Sequence, residues 1–343
     1  MSAENPMARD WSEYGQKHMR TRGAGRGLVA LLLAGMLTLV GCAQTPSARP
    51  ATDAGEPAQE QQEQAVATMP QTDWSKARVS YLGPEGTYTQ EACQVFFGGQ
   101  GTYEPQEDVA ASVQALIDGN ADYAVIPQEN SIGGPIAEYL DEVVSHEDVC
   151  IVGEVDLPIS QNLLAKPDAK LEDIKTVYSH KQGIAQGSAW LKEHLPNATV
   201  TEVSSTAKGA RMASEAPGND CAAIGSAAAA DVYGLSVAAD NIQMSDTNKT
   251  RFYVLSTGSP ATEASDRMAF LASGSAADLA ELLASVEAQG MQVLAVHDRP
   301  QKTELGNYTY VVECADGGYD AYQSVCKDNP SLEFRYLGSF PVV

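Results

Sequence analysis

Cations are scarce in this chain. Lysine and arginine number 22 against 45 aspartates and glutamates, which leaves a net charge of -23 over 343 residues. Phosphate backbones repel such a polyanion, which argues against a nucleic-acid partner. Anionic headgroups repel it too, which argues against electrostatic attachment to a membrane. The same charge sets a condition: an anionic substrate must find a locally positive site. A long apolar run is also missing. Leu28 to Val40 is apolar, but a membrane-spanning helix needs roughly 20 such residues. Zinc-type spacing is absent as well. The six cysteines, at 42, 93, 150, 221, 314 and 326, form no C-x-x-C pair, and neither a metal nor a cofactor is expected. What is there is ample apolar material, 43% of residues, enough for two domains and a targeting segment.

Arg20, Arg22 and Arg26 precede the apolar run, which ends in Leu39-Val40-Gly41-Cys42. A basic stretch before a short apolar core reads as a secretory signal. Its end resembles the lipobox of bacterial lipoproteins, whose cysteine is lipidated and becomes the new N-terminus. The expectation is a signal at 1–41 and a lipid on Cys42, giving an exported protein that meets the membrane only through that anchor. An uncleaved anchor helix is the alternative, and Met19 would give a more typical signal length than Met1. Cleavage would remove five basic and three acidic residues, leaving -25. Residues 42–75 are rich in Ala, Gln, Glu, Pro and Thr and read as a disordered tether. Five cysteines would remain. Cys314 and Cys326, on a predicted strand and the helix after it, could pair; equally, all five could stay buried thiols.

From Arg78 onward strand and helix patterns alternate. Strands are predicted at 78–82, 123–126, 151–155, 174–178, 198–203, 222–224 and 251–255. Helices are predicted at 87–97, 109–117, 182–194, 206–214 and 226–232. Pro127 is read as the end of the second strand. This alternation implies an α/β domain with parallel strands covered by helices, in which ligands sit beyond the carboxyl ends of strands. A small-residue linker at 256–264 precedes β (267–271), α (277–288), β (291–297), β (308–314), α (319–327) and β (332–338), the ferredoxin-like βαββαβ order.

Three short segments stand at strand ends. Gly83-Pro84-Glu85-Gly86-Thr87 leads from a strand into a helix, where free N–H groups favour an anion; a tight turn explains it equally. Glu129-Asn130-Ser131 follows another strand, and Asn and Ser there are also ordinary caps. Thr250-Arg251-Phe252 opens a third strand and reads on its own as β-formers and surface packing.

Taken in order, the three segments resemble the catalytic domain of prephenate dehydratases. Thr176-Val177-Tyr178-Ser179-His180 with Gln182, Ser205-Thr206-Ala207, Ala222 to Ser226, Tyr233-Gly234-Leu235 and Asn248 extend the likeness over some 180 colinear residues. The C-terminal βαββαβ unit resembles the ACT domain that follows in that family. The resemblance implies a two-lobed domain at 76–257, similar to type II periplasmic binding proteins. One lobe would hold about 76–155 and 245–257, the other about 156–244. An ACT-like regulatory domain would occupy 265–343. It implies loss of water and carbon dioxide from prephenate to give phenylpyruvate in phenylalanine biosynthesis, a carbon–oxygen lyase reaction. Thr250 resembles the catalytic residue. Thr87, Asn130, Ser131, Ser205, Thr206 and Arg251 would bind substrate, Arg251 as the planar fork for a carboxylate. Phe252 is read as packing, and His180 as more often structural than titrating. Leu279, Asp298 and Arg299 would belong to an L-phenylalanine effector site, and a homodimer or homotetramer is expected.

The pattern is not intact. Gln161-Asn162-Leu163-Leu164 stands where members often have His-Cys-Leu-Leu, and Gln161 cannot titrate. Ala277-Asp278-Leu279 stands for Gly-Ala-Leu, and His297-Asp298-Arg299-Pro300 for Glu-Ser-Arg-Pro. Ala277 and the charged Asp278 would crowd or repel an amino-acid effector. Two other readings stay open: a lipid-anchored solute-binding protein for an aromatic or dicarboxylate ligand, and a catalytically inert ACT sensor.

Overall fold

The computed structural model describes residues 72–343. The predicted signal, Cys42 and most of the predicted tether lie outside the described residues. Strand β1 (Arg78–Leu82) runs parallel to β2 (Thr102–Gln106) and β3 (Tyr123–Asn130). Helices α1 (Tyr88–Phe96) and α2 (Val109–Ile117) make the crossovers. The short β4 (Gly134–Pro135) folds back on β3, α3 (Ala137–Ser145) follows, and β5 (Val149–Pro158) completes this outward half.

The chain then builds a second sheet from β6 (Asn162–Ala165), β7 (Thr176–Ser179), β8 (Thr199–Glu202), β9 (Cys221–Gly225) and β10 (Ser236–Ala239). Its helices are α4 (Lys181–His194), α5 (Thr206–Glu215) and α6 (Ala227–Tyr233), and the sheet order is β10-β6-β9-β7-β8. Strand β11 (Lys249–Thr257) returns to the first sheet and inserts between β3 and β5, giving β2-β1-β3-β11-β5. The two passages between sheets lie side by side: Ile159 N–H donates to Asn248 O at 2.9 Å, and Ile242 N–H to Gln161 O at 2.8 Å.

This return corrects the expectation of parallel strands. β11 is antiparallel to both neighbours, and β6 is antiparallel to β9 and β10. Pro127 does not end its strand either. It lies beyond the residues of β3 that pair with β1, and the β11 register shifts opposite it, between Arg251 and Phe252. A proline, which has no N–H to give, is tolerated at such an irregularity.

The last 80 or so residues form β12 (Arg267–Ser275), α7 (Leu279–Ala288), β13 (Gln292–Pro300), β14 (Asn307–Ala315), α8 (Tyr319–Asp328) and β15 (Glu333–Phe340). The sheet is antiparallel, ordered β13-β14-β12-β15, as the βαββαβ order predicts. One face is covered by α7 and α8, whose Leu282, Val286 and Val325 pack with Phe270 of β12. The other contributes Ala269, Leu271, Val311, Leu337 and Phe340 to the core of the first lobe, against Ile126, Leu140, Ile151, Tyr253 and Leu255. Each large side chain so buried contributes about 1.5–3 kcal/mol. The five described cysteines are all free, so Cys314 and Cys326 do not pair. Among the described residues no helix is long and apolar enough to cross a membrane.

Candidate active site

Between the two lobes lies a cleft of about 420 Å³. Three helices point their N-termini into it. α1 brings Thr87, Tyr88 and Thr89; α4 brings His180, Lys181, Gln182 and Gly183; α5 brings Ser204, Ser205 and Thr206. Each is capped locally. Thr87 Oγ1 accepts from Gln90 N–H at 3.4 Å, His180 Nδ1 from Gln182 N–H at 3.4 Å, and Ser205 Oγ from Lys208 N–H at 3.0 Å. The caps occupy those side-chain acceptors but leave other first-turn N–H groups and the positive end of each helix dipole for an anion. The glycine turn before α1 is held from the opposite lobe: Ser226 Oγ donates to Gly86 O at 3.2 Å and Tyr233 Oη to Glu85 O at 2.7 Å. Gly86 has φ +79°, and a Cβ there would lie 3.1 Å from the Ala229 backbone, so only glycine suits the turn.

Facing these helices, β11 presents Thr250 and Phe252. Thr250 Oγ1 accepts a hydrogen bond from Asn130 Nδ2 at 2.9 Å. An amide nitrogen cannot accept, so the Thr250 hydroxyl proton is free to point at a ligand. Asn130 is itself oriented. Its Oδ1 accepts from Ile132 N–H at 3.1 Å and Gly133 N–H at 2.9 Å, while Nδ2 also donates to Asn248 Oδ1 at 2.8 Å. Phe252 is almost wholly buried and forms an apolar wall.

The structure therefore gathers Thr87, Asn130, Ser205, Thr206 and Thr250 around one cleft, and leaves out two residues expected there. Ser131 pins the β3–β11 end instead, donating to Thr247 O at 3.1 Å and accepting from Lys249 N–H at 2.9 Å. Arg251 turns away from the cleft. Its guanidinium lies 2.9 Å from Glu313, 3.1 Å from Glu154, 3.5 Å from Glu129 and 3.7 Å from Asp156. Neighbouring residues on a strand face opposite sides, so with Thr250 in the cleft Arg251 meets the C-terminal domain. Among the described residues Lys181 is then the one lysine or arginine lining the cleft, and none of them brings a carboxylate to it. Burial, then Lys181, holds His180 below the usual histidine range, so it is neutral at pH 7.

The effector residues are also placed. Leu279 packs in the core of the C-terminal domain and Asp298 is exposed. Arg299 is engaged by α3, with Nε 2.6 Å and Nη2 2.8 Å from the two oxygens of Asp141. Its fork is thus occupied by Asp141 in this structure. Residues not predicted to bind are Gln161, Gln186 and Asn248, which line the cleft through one hydrogen-bonded chain. Asn248 and Gln161 were marked in the sequence by the family pattern, Asn248 as a match and Gln161 as a departure, whereas Gln186, one turn into α4, carried no signal beyond its polarity.

Together these features define a class: a two-lobed α/β protein whose inter-lobe cleft is lined by helix N-termini suited to an anion, with a βαββαβ domain packed on one lobe. The chain belongs to the prephenate dehydratase family, whose sequence model matches residues 79–260. It is 33% identical over 273 residues to a bifunctional chorismate mutase/prephenate dehydratase of Aquifex aeolicus, covering 78% of this chain and 74% of that one. It is 30% identical over 282 residues to a prephenate dehydratase of Mycobacterium tuberculosis, covering 77% and 87%. Among solved structures it superposes on the prephenate dehydratase of Arthrobacter aurescens in complex with L-Phe, with TM-score 0.68 and 29% identity over 77% of this chain and 89% of that one. The Staphylococcus aureus Mu50 enzyme gives TM-score 0.66 and 25% identity, covering 77% and 99%.

Proposed function

We propose that this chain converts prephenate to phenylpyruvate, releasing water and carbon dioxide. The observation that carries the reading is the Thr250 hydroxyl, which accepts from Asn130 and stands on a cleft bounded by three helix N-termini, leaving its proton free for a ligand. The helix ends would hold the two substrate carboxylates. The C–C bond to the ring carboxylate breaks, its electron pair moves through the ring, and the C–O bond at the opposite carbon breaks. The departing oxygen takes the Thr250 hydrogen bond as its charge develops, leaves at the level of hydroxide and takes one proton from solvent to become the released water. Aromatisation supplies the driving force, and Phe252 with the opposing lobe keeps water from the ring. The test is phenylpyruvate formation by the full chain at pH 7, against buffer alone and Thr250→Ala. The expected loss in the variant is about 100-fold or more in kcat. A wild-type rate equal to the blank would sink the reading.

The C-terminal domain is read as an ACT-like regulatory unit with L-phenylalanine as effector, supported by the L-Phe complex of the Arthrobacter aurescens relative. Export and lipid attachment at Cys42 are proposed from the basic-apolar-Cys order alone. Intact mass of the membrane-extracted protein should show cleavage before Cys42 and an added diacylglycerol; an unmodified Cys42 rules the anchor out.

A further inference from the structure

Lys181 is the first residue of α4, and helix stability does not call for a cation there. Free N–H groups already make a helix start positive, so a lysine destabilises it where an aspartate or glutamate would stabilise it. The first turn of α4 holds no acidic residue to compensate. Arg78, Lys175 and Arg299 are each paired with an aspartate. Lys181 makes no ion pair among the described residues, and it is exposed. It stands on the rim of the cleft. Both the cleft and a shallow depression outside it, where Glu202 and Lys208 are the other Lys, Arg, Asp or Glu residues, have Lys181 in their lining. Its side chain is therefore open to a ligand in the cleft.

Prephenate brings two carboxylates to a chain of net charge -23. The ring carbon opposite the hydroxyl carries both, one directly and one at the end of the pyruvyl side chain. With the hydroxyl at Thr250, both would lie toward the facing helix ends. Their fates differ. The ring carboxylate gives its bonding pair to the ring and leaves as neutral carbon dioxide. A cation paired with it would hold the substrate more tightly than the transition state and slow the reaction. The side-chain carboxylate keeps its charge from substrate through to product. A cation there strengthens binding at every stage without that penalty.

We infer that Lys181 is a substrate-binding residue that pairs with the side-chain carboxylate of prephenate, the one retained in the product. The inference rests on the dehydratase reading of this same cleft. The experiment measures steady-state kinetics and phenylpyruvate inhibition with the full chain at pH 7. In Lys181→Gln the KM for prephenate should rise about tenfold with kcat held within about twofold, the signature of uniform binding. Inhibition by phenylpyruvate, which keeps the same carboxylate, should weaken by the same factor. Added salt should favour the variant relative to wild type, because it screens the attraction of Lys181 in one and only the repulsion of the chain in the other. Lys181→Arg should restore both affinities. Lys208→Gln, an equal change of charge in the neighbouring depression, should leave both near wild type. Lys181→Gln should also melt no lower than wild type, since it relieves the helix end.

An unchanged KM in Lys181→Gln overturns the proposal. So does a raised KM with a raised kcat and undiminished phenylpyruvate inhibition, because Lys181 would then hold the ring carboxylate. A lower melting temperature with a loss confined to kcat marks a structural role and overturns it too. If wild type consumes no prephenate, the dehydratase reading fails separately. Calorimetric titration of prephenate and phenylpyruvate then decides Lys181: weaker binding of both to Lys181→Gln supports it, and equal or absent binding overturns it.

Discussion

Thr250 owes its direction to Asn130, and the pair gives a sharp prediction. In Asn130→Asp one carboxylate oxygen still receives Ile132 and Gly133 N–H, but the other faces Thr250 Oγ1 and Asn248 Oδ1 where an N–H donor stood. Thr250 would turn its proton onto the new carboxylate and away from substrate. The expected result is a kcat loss on the order of 100-fold with little change in KM, read from steady-state phenylpyruvate formation. A variant retaining wild-type kcat would show that Thr250 needs no such orientation. Thr250, Asn130, Thr87, Ser205 and Thr206 were legible through the family resemblance; each lies beside a strand end or helix start, but on local patterning alone none stood apart from an ordinary cap or turn. The direction of Arg251 was not legible. Its carboxylate partners, Glu129, Glu154, Asp156 and Glu313, come from three other strands, and no local pattern brings them together.

Among the elements, α2 is predicted at its observed ends and α5 within a residue, because apolar spacing and side-chain caps agree there, while α8, also within a residue, has no side-chain cap and follows from its apolar spacing. The elements missed were those with weak patterns: β2, an edge strand whose residues are mostly exposed and include Pro105; β6, only four residues long; β10, mostly exposed; and α3, which lacks a side-chain cap. The βαββαβ unit was legible in order, and its use of one sheet face against the first lobe was not, since that needs partners some 200 residues distant. The fate of an effector is decided here too. Arg299 of β13 is held by Asp141 of α3, and Ala277 with Asp278 lead into α7 where close backbone approach would be wanted. L-phenylalanine should therefore bind weakly, with heat that saturates only at millimolar ligand in a calorimetric titration. Absence of heat over that range would remove the effector.

The molecule as a whole is joined through a buried charge cluster between β5, β11, β12 and β14. Glu154 and Glu313 are fully buried there, with Arg251 and Arg267 between them: Arg267 lies 2.8 Å from Glu154 and 3.9 Å from Glu313. The two carboxylates do not share these cations equally. Burial raises Glu313, but hydrogen bonding to His297, the charge of Arg251 and a short hydrogen bond from Tyr253 outweigh it and keep Glu313 below its usual range. Glu154 has close ion pairs without hydrogen-bond alignment. Burial dominates there, aided by Glu313 and Asp156 against the two arginines, and pushes Glu154 from its ordinary 4.5 to about 8. A folded state that keeps this proton to about 8, set against an unfolded chain that releases it near 4.5, binds the extra proton between those values. Unfolding free energy must then fall as pH rises across that window, by an amount on the order of a few kcal/mol, and recover on acidification. Glu154→Gln keeps the neutral shape and removes the titration. Its melting temperature should change less than that of wild type between pH 5 and 8, with the variant gaining most at the alkaline end. Parallel curves for the two proteins would place the ionised carboxylate, not the acid, in the folded cluster.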